Sequence, residues 1–209
     1  MGILDDGLFG GFRGKTGALV GRKVNGQSVI TASYRKSGRM NRDSLPAQLL
    51  VLPMMVSFLS PIKELIALGF RKYKKHQTAF SAAVSYNLRH AIVYNGTEPL
   101  IDCSELCYSK GAVLTNLVTV IMMDEGGSLI FSWSAGTQAD QMDLGTFLLY
   151  DEDAQLFYVE RDAARRHEEI YFFTLPPGIA GHRLHGYMSY SAAEGKGQSD
   201  TMYASYVIV

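Results

Sequence analysis

The chain has 209 residues, and its 20 Lys and Arg residues balance 20 Asp and Glu residues. Hydrophobic residues make up 47% and charged residues 19%, which is typical of a soluble globular protein. The start, with Asp5 and Asp6, lacks the basic and apolar regions of a secretory signal, so we expect a cytoplasmic protein. The longest apolar stretch, residues 45–59, falls short of the roughly 20 residues of a membrane span and indicates a buried helix.

The zero net charge conceals two oppositely charged parts of the sequence. Residues 1–75 contain 13 Lys and Arg against 4 Asp and Glu, which gives +9, whereas residues 76–209 contain 7 against 16, which gives −9. Such asymmetry can indicate contact with nucleic acid, or attraction between the two parts within or between subunits. We expect the second, and direct nucleic-acid binding remains an alternative.

Residues 1–43 are rich in glycine and basic residues, with eight glycines among the first 26 residues. The β-prone runs 17–24 and 27–32 flank Asn25-Gly26, a strong signal for a two-residue hairpin loop. The sequence therefore predicts a flexible glycine-rich segment that leads into a β-hairpin over residues 17–32.

A helical segment is predicted over residues 44–94. Pro53 is expected to kink or break the first helix. Ser60-Pro61 is typical of a serine N-cap followed by proline at the first helical position, which predicts a new helix. A further helix is predicted over 78–91 from apolar residues at helical spacing.

Residues 100–209 contain many short β-prone runs separated by Gly, Pro and Asp turns. This pattern predicts an antiparallel β-sandwich or barrel. With Trp133 early and Leu175 and Tyr187 late, the region resembles a fibronectin type III or immunoglobulin-like sandwich. The expected fold is α+β and mostly β, with a domain over 1–99 and a sandwich domain over 100–209. The predicted strands are 117–123, 128–133, 147–150, 156–159, 170–174, 184–190 and 202–208.

No residues with catalytic, metal-binding or cofactor-binding roles are predicted. Cys103 and Cys107 form a single pair, whereas a zinc site requires about four ligands. His182 and His185, three positions apart on a strand, would point to opposite faces. The acids in 140–143 and 151–153 fall at turns, where we expect solvated side chains. The stretch 10–16 lacks the first glycine of a phosphate-binding loop, because position 9 is phenylalanine.

Four segments together resemble a known family. They are GLFGGFRGKTGALVG, FLSPIKELIALGF, SYNLRHAI and LPPGIAGHRLHGYMSY. These segments resemble DUF6266, a family of about 200 residues that is common in Bacteroidetes and has no assigned function. The resemblance covers nearly the whole chain and implies no activity.

The expected function is that of a non-catalytic structural or interaction protein. Its hairpin would pack on the sandwich or add a strand to the sheet edge of a neighbouring subunit. The residues expected to mediate this contact are Arg22, Lys23, Asn25, Gly26, Arg35 and Lys36. The alternative is a module that binds carbohydrate or nucleic acid; exposed tyrosines, with Tyr158, Tyr171 and Tyr187 as candidates, would serve carbohydrate binding.

Overall fold

The protein is described here from a computed structural model. It describes residues 3–4, 11–24, 26–33, 47–71, 77–115, 119–123, 128–136, 139–195 and 197–208. The structure is mostly β, with several antiparallel sheets and few helices, as the sequence predicts. The chain divides into two compact units, Met1–Leu45 and Pro46–Val209.

The first unit contains a four-stranded antiparallel sheet in the order β1-β2-β3-β4. Val24 pairs with Gln27, and Gly26 has a φ of +82° at the connection between β3 and β4. Such a φ suits glycine because other residues are strained there. The strands are β1 (Ile3–Leu4), β2 (Phe12–Thr16), β3 (Leu19–Val24) and β4 (Gln27–Ala32).

The glycine-rich segment before residue 17, which was expected to be flexible, contains strand β2 (Phe12–Thr16). A Cβ on Gly21 would lie 1.9 Å from the carbonyl oxygen of Phe12, so only glycine fits at this crossing of two backbones. Gly17 has a φ of +60° in the turn between β2 and β3. The glycines at these positions therefore permit a sheet of closely approaching strands.

The second unit begins with three helices. α3 begins within one residue of its predicted start at residue 78. Thr78 caps it, because its hydroxyl accepts a hydrogen bond from the backbone N–H of Ser81 at 3.1 Å. A short 3-10 turn, Ser60–Ile62, connects the first two helices. The helices are α1 (Ala47–Leu59), α2 (Lys63–Gly69) and α3 (Ala79–His90).

Two details of the helices differ from expectation. α1 is one helix with Pro53 inside it, so Pro53 does not break the helix; the alternative, a kink at Pro53, stays a prediction. Ser60 does not cap the next helix; its hydroxyl instead donates to the carbonyl of Val56 at 2.6 Å. By length and composition alone, the helical stretch 50–69, with a mean hydropathy of 1.6, could cross a membrane. The side chains of Met55 and Leu59 in this stretch are fully buried in the core of the unit.

The described residues of the second unit also form nine strands, which belong to three sheets. One sheet has the order β10-β9-β12-β13, the second has β11-β8-β7, and the third pairs β5 with β6. The strands are β5 (Ile92–Asn95), β6 (Glu98–Ile101), β7 (Thr119–Met123), β8 (Leu129–Trp133), β9 (Leu144–Asp151), β10 (Leu156–Arg165), β11 (Ile170–Phe173), β12 (Arg183–Ser191) and β13 (Met202–Ile208).

Strand β9 is buried on both of its faces. Phe147 and Leu149 belong to the core shared with the β11-β8-β7 sheet, whereas Leu148 and Tyr150 belong to the core shared with the helices. Since successive side chains of a strand point to opposite faces, the helices and the three-stranded sheet cover opposite sides of the four-stranded sheet. The domain boundary expected near residue 99 consequently falls inside the second unit.

Two aromatic residues singled out from the sequence occupy different cores. Trp133 is buried in the core between the two sheets, and its indole N–H donates to the backbone carbonyl of Arg166 at 2.7 Å. Tyr187 lies on the helix-facing side, where its hydroxyl donates to the carbonyl of Cys103 at 2.7 Å. Tyr187 therefore joins the sheet to the segment that follows β6.

Candidate interaction surface

The β1–β4 sheet exposes apolar side chains on both faces. Leu19 pairs with Ala32, and Gly21 pairs with Ile30, so these four residues share one face. Leu19 is 48% exposed and Ile30 is 58% exposed. Val24, on the opposite face, is 41% exposed. The sheet thus presents to solvent the kind of residue that sheets ordinarily bury.

In residues 11–24 and 26–33 of this unit, no hydrophobic side chain is buried. Within the part of the chain that the structure describes, the buried hydrophobic residues all lie at position 51 or beyond. Folding fixes the backbone at a cost of about 1–2 kcal/mol per residue, which buried apolar surface must offset. Residues 11–24 and 26–33 of the sheet provide no buried hydrophobic side chain to offset this cost of folding.

The same sheet carries an excess of positive charge. Arg13, Lys15, Arg22 and Lys23 are all exposed, and residues 11–24 and 26–33 include no Asp or Glu. Arg22 and Lys23 are adjacent on β3 and so point to opposite faces. Both faces therefore combine apolar and basic groups, and the two predicted basic residues belong to different surfaces.

The other predicted interaction residues can be followed only in part. Gly26 lies at the turn between β3 and β4. Asn25, Arg35 and Lys36 lie outside the described residues.

The acids at 151–153 hold a turn together, and one of them is buried rather than solvated. Asp151 is 0% exposed and accepts hydrogen bonds from the backbone N–H groups of Asp153 and Ala154. Its other oxygen lies 2.8 Å from Nδ1 of His182. Asp153 accepts from the Arg183 guanidinium. These contacts fix the β9–β10 turn against the start of β12.

The two histidines of the HRLH segment have separate surroundings. His182 lies before β12 and pairs with Asp151, whereas His185, within β12, lies 3.1 Å from the hydroxyl of Tyr203 through Nδ1. Burial lowers the pKa of His185, although Glu152, 3.7 Å from its Nε2, opposes that shift. No group of three or more His, Cys, Asp or Glu residues suited to a metal ion occurs among the described residues.

Both cysteines are free thiols. Burial, with a further contribution from Glu152, raises the pKa of Cys103 to about 11. Burial also raises the pKa of Cys107. Because the thiolate is the nucleophilic form, these environments suppress rather than activate cysteine chemistry.

The candidate carbohydrate-binding tyrosines have packing roles. Tyr187 is fully buried. Tyr171 stacks on Phe147 with 4.4 Å between ring centroids and donates its hydroxyl to Glu160 at 2.6 Å. Tyr158 packs partly against the core between the sheets. Tyr187 thus has no exposed ring on which a sugar could stack, whereas Tyr171 and Tyr158 are half-buried.

These observations define a β-rich protein with an exposed, basic and partly apolar sheet as its candidate interaction surface. The model described as "Family of unknown function (DUF6266)" matches residues 11–205, which is nearly the entire chain. The chain therefore belongs to the DUF6266 family. No curated protein and no solved structure matches it.

Proposed function

We propose that this protein is a non-catalytic structural or interaction module that assembles through the β1–β4 sheet with a second copy of itself. The observation that carries the proposal is the exposure of Leu19 and Ile30, together with the lack of a buried hydrophobic side chain in residues 11–24 and 26–33. Association would remove these side chains from water, and each buried CH₂ group contributes about 0.8 kcal/mol.

The edge of the sheet offers a second means of association. β4 is an edge strand in the order β1-β2-β3-β4. The N–H and C=O groups along the outer side of an edge strand can pair with a strand of another chain. A partner strand there would extend the sheet and cover part of its apolar surface.

Charge favours a second copy as the partner. Met1–Leu45 contains 8 Lys and Arg against 3 Asp and Glu, a net of +5, whereas Pro46–Val209 contains 12 against 17, a net of −5. Opposite net charges attract and steer association. A basic first unit from one copy and an acidic second unit from another copy are complementary in this sense.

We also propose a fibronectin type III-like arrangement for the sheets β11-β8-β7 and β10-β9-β12-β13. The support is the strand order, in which the first, second and fifth of these seven strands form one sheet. The core between the sheets, with Trp133 and Phe131 on β8, is consistent with such a sandwich. Sandwiches of this kind host many functions, so the proposal concerns architecture alone.

The experiment is a light-scattering measurement of molar mass across a dilution series. We expect the mass of the wild-type protein to increase with concentration and that of the double variant Leu19→Ser/Ile30→Ser to stay at the monomer value. Leu156→Ser is the matched control, because Leu156 is 52% exposed on β10 in the second unit. A wild-type protein that is monomeric at every concentration would contradict the proposal. So would a Leu156→Ser variant that stays at the monomer mass like the double variant.

Nucleic-acid binding is the second candidate, favoured by the four exposed cations of the sheet. Binding to phosphates weakens steeply as salt increases. The test is chromatography on a heparin column at low salt. We expect the column to retain the wild-type protein and to retain the variant Arg22→Glu/Lys23→Glu less. Passage of the wild-type protein through the column at low salt would exclude this candidate.

A further inference from the structure

A cavity of about 720 Å³ lies in the second unit beside the end of α2. Its walls come from the end of α2, residues 110–113, and residues 192–195 and 197–200 between β12 and β13. Cavities of about 300–1,000 Å³ are typical of small-molecule sites. Neither the family match nor the proposed assembly uses this cavity.

Backbone hydrogen bonds hold the walls in place. The N–H of Lys110 donates to the carbonyl of Gly69 at 3.0 Å, and the N–H of Val113 donates to the carbonyl of Gln198 at 3.1 Å. Within the loop, the N–H of Ala192 donates to the carbonyl of Gly197 at 2.9 Å. These bonds join all three walls, so the cavity is formed before any ligand enters.

Two glycines permit the close packing of these walls. A Cβ on Gly69 would lie 2.4 Å from the carbonyl oxygen of Tyr108. A Cβ on Gly111 would lie 1.9 Å from the carbonyl oxygen of Gln198. Since the obstructing atoms belong to the backbone in both cases, a larger residue would displace a wall.

The polar groups of the cavity are arranged around Lys110. Its Nζ lies 2.7 Å from Oδ2 of Asp200, whose Oδ1 accepts the N–H of Gly111 at 2.9 Å. Hydrogen bonding to Asp200 raises the pKa of Lys110, so the ammonium stays charged. An ammonium has three N–H donors. Oδ2 of Asp200 accepts one of these N–H groups, and Oδ1 of Asp200 accepts the backbone N–H of Gly111.

Arg71 adds a second cation to the lining. Its side chain is exposed and has no ion-pair partner among the described residues. A guanidinium has five N–H donors in a planar fork that suits carboxylate and phosphate groups. Leu68, Ala112 and Val113 supply apolar surface beside these two cations.

We infer that this cavity binds a small organic anion, with a carboxylate or phosphate group beside Arg71 and Lys110 and a compact apolar body against Leu68 and Val113. The anionic group would accept hydrogen bonds from the guanidinium and from ammonium N–H groups that Asp200 does not accept. The ammonium also lies 5.1 Å from the centroid of the Tyr86 ring. Among the described lining residues Asp200 is the one acid; its charge is balanced by Lys110, so Arg71 supplies the net positive charge of the site.

The test is isothermal titration of the full chain with benzoate, phenyl phosphate and the neutral benzamide in low-salt buffer. We expect saturable binding of at least one anionic probe and none of benzamide, and the preferred anion identifies the head group. Arg71→Gln should weaken binding about tenfold or more, because hydrogen bonds to charged groups are strong. Ala112→Leu should also weaken it by occupying part of the cavity.

Arg89→Gln is the control, since Arg89 is an exposed arginine whose side chain contacts Ser85 outside this cavity. Unchanged melting temperatures would show that the variants remain folded. Failure of both anionic probes to bind, equal binding of benzamide, or full affinity in Arg71→Gln would overturn the inference. The experiment does not depend on assembly, so its outcome is separate from that of the proposed function.

Discussion

The guanidinium of Arg166 lies 3.7 Å from the centroid of the Tyr190 ring, and both side chains are fully buried. Arg166 also pairs with Asp143 at 3.2 Å and donates to the carbonyl of Leu114 at 2.5 Å. The turn before β9, the end of β10 and the segment before β7 thus meet at one buried cation. This arrangement makes the second unit sensitive to the loss of a single carboxylate.

Asp143→Ala should destabilise the second unit by about 3–5 kcal/mol, because it removes the carboxylate that pairs with the buried Arg166 guanidinium. The measurement is urea unfolding followed by the fluorescence of Trp133, the one tryptophan of the chain. Asp153→Ala, which breaks a more exposed pair with Arg183, should have a smaller effect. Similar losses of unfolding free energy in the two variants would contradict the expectation that burial makes the Asp143–Arg166 pair the more important one for stability.

Asn87 connects α3 to the segment before β7. Its side-chain amide donates to the carbonyl of Cys107 at 2.7 Å and accepts the N–H of the same residue at 2.8 Å. Asn87→Ala should cost about 2–4 kcal/mol in the same unfolding experiment, because two buried backbone groups lose their partners. Asn87→Asp should be more stable at low pH than at neutral pH, since the ionised carboxylate cannot donate to Cys107. A pH-independent stability would contradict that role.

Gly186 faces Ile121 across the core between the sheets. A Cβ on Gly186 would lie 1.8 Å from Cδ1 of Ile121. Gly186→Ala should therefore cost about 1–3 kcal/mol from overpacking. Ile121→Val removes that methyl group and alone should cost about 0.5–1.5 kcal/mol. The double variant should be more stable than the sum of the two losses predicts, and strict additivity would show that the clash is relieved elsewhere.

Cys103 should react slowly with iodoacetamide in the folded protein. With a pKa of about 11 instead of the ordinary 9.0, the thiolate fraction at pH 8 is roughly a hundredfold lower, and the rate should rise with pH up to that pKa. Glu152→Gln should speed the reaction, because removing the nearby negative charge lowers the pKa. The rate follows from mass spectrometry of the labelled Cys103 peptide, with urea-unfolded protein as the reference. Equal rates for folded and unfolded protein would contradict this environment.

Local sequence signals predicted the strands of the second unit well. Short β-prone runs and Gly, Pro or Asp turns predict β7 to β13 to within about three residues, except that β10 extends to Arg165 instead of ending at residue 159. The β5–β6 pair was missed, although Asn95-Gly96 is the same signal as Asn25-Gly26, and Gly96 has a φ of +63°. The helical segment predicted over residues 44–94 includes residues 92–94 and therefore leaves no room for strand β5.

Features that depend on distant partners could not be predicted. Asp143 and Asp151 resemble ordinary turn acids in sequence, yet Arg166 and His182, 23 and 31 residues away, make them buried partners. The apolar run 147–150 on β9 indicates burial but not that helices cover one face and a sheet covers the other. The cavity beside Lys110 likewise depends on contacts between segments about 90 residues apart.

Assembly through the β1–β4 sheet is tested most directly by hydrogen–deuterium exchange of the full chain at low and high protein concentration. A sheet with no buried hydrophobic side chain in residues 11–24 and 26–33 is expected to open readily when alone. We predict that the amides of β3 and β4 exchange quickly in dilute protein and become protected as concentration increases, while those of β9 and β12 stay protected throughout. Protection of β3 and β4 that is the same at every concentration would contradict the account.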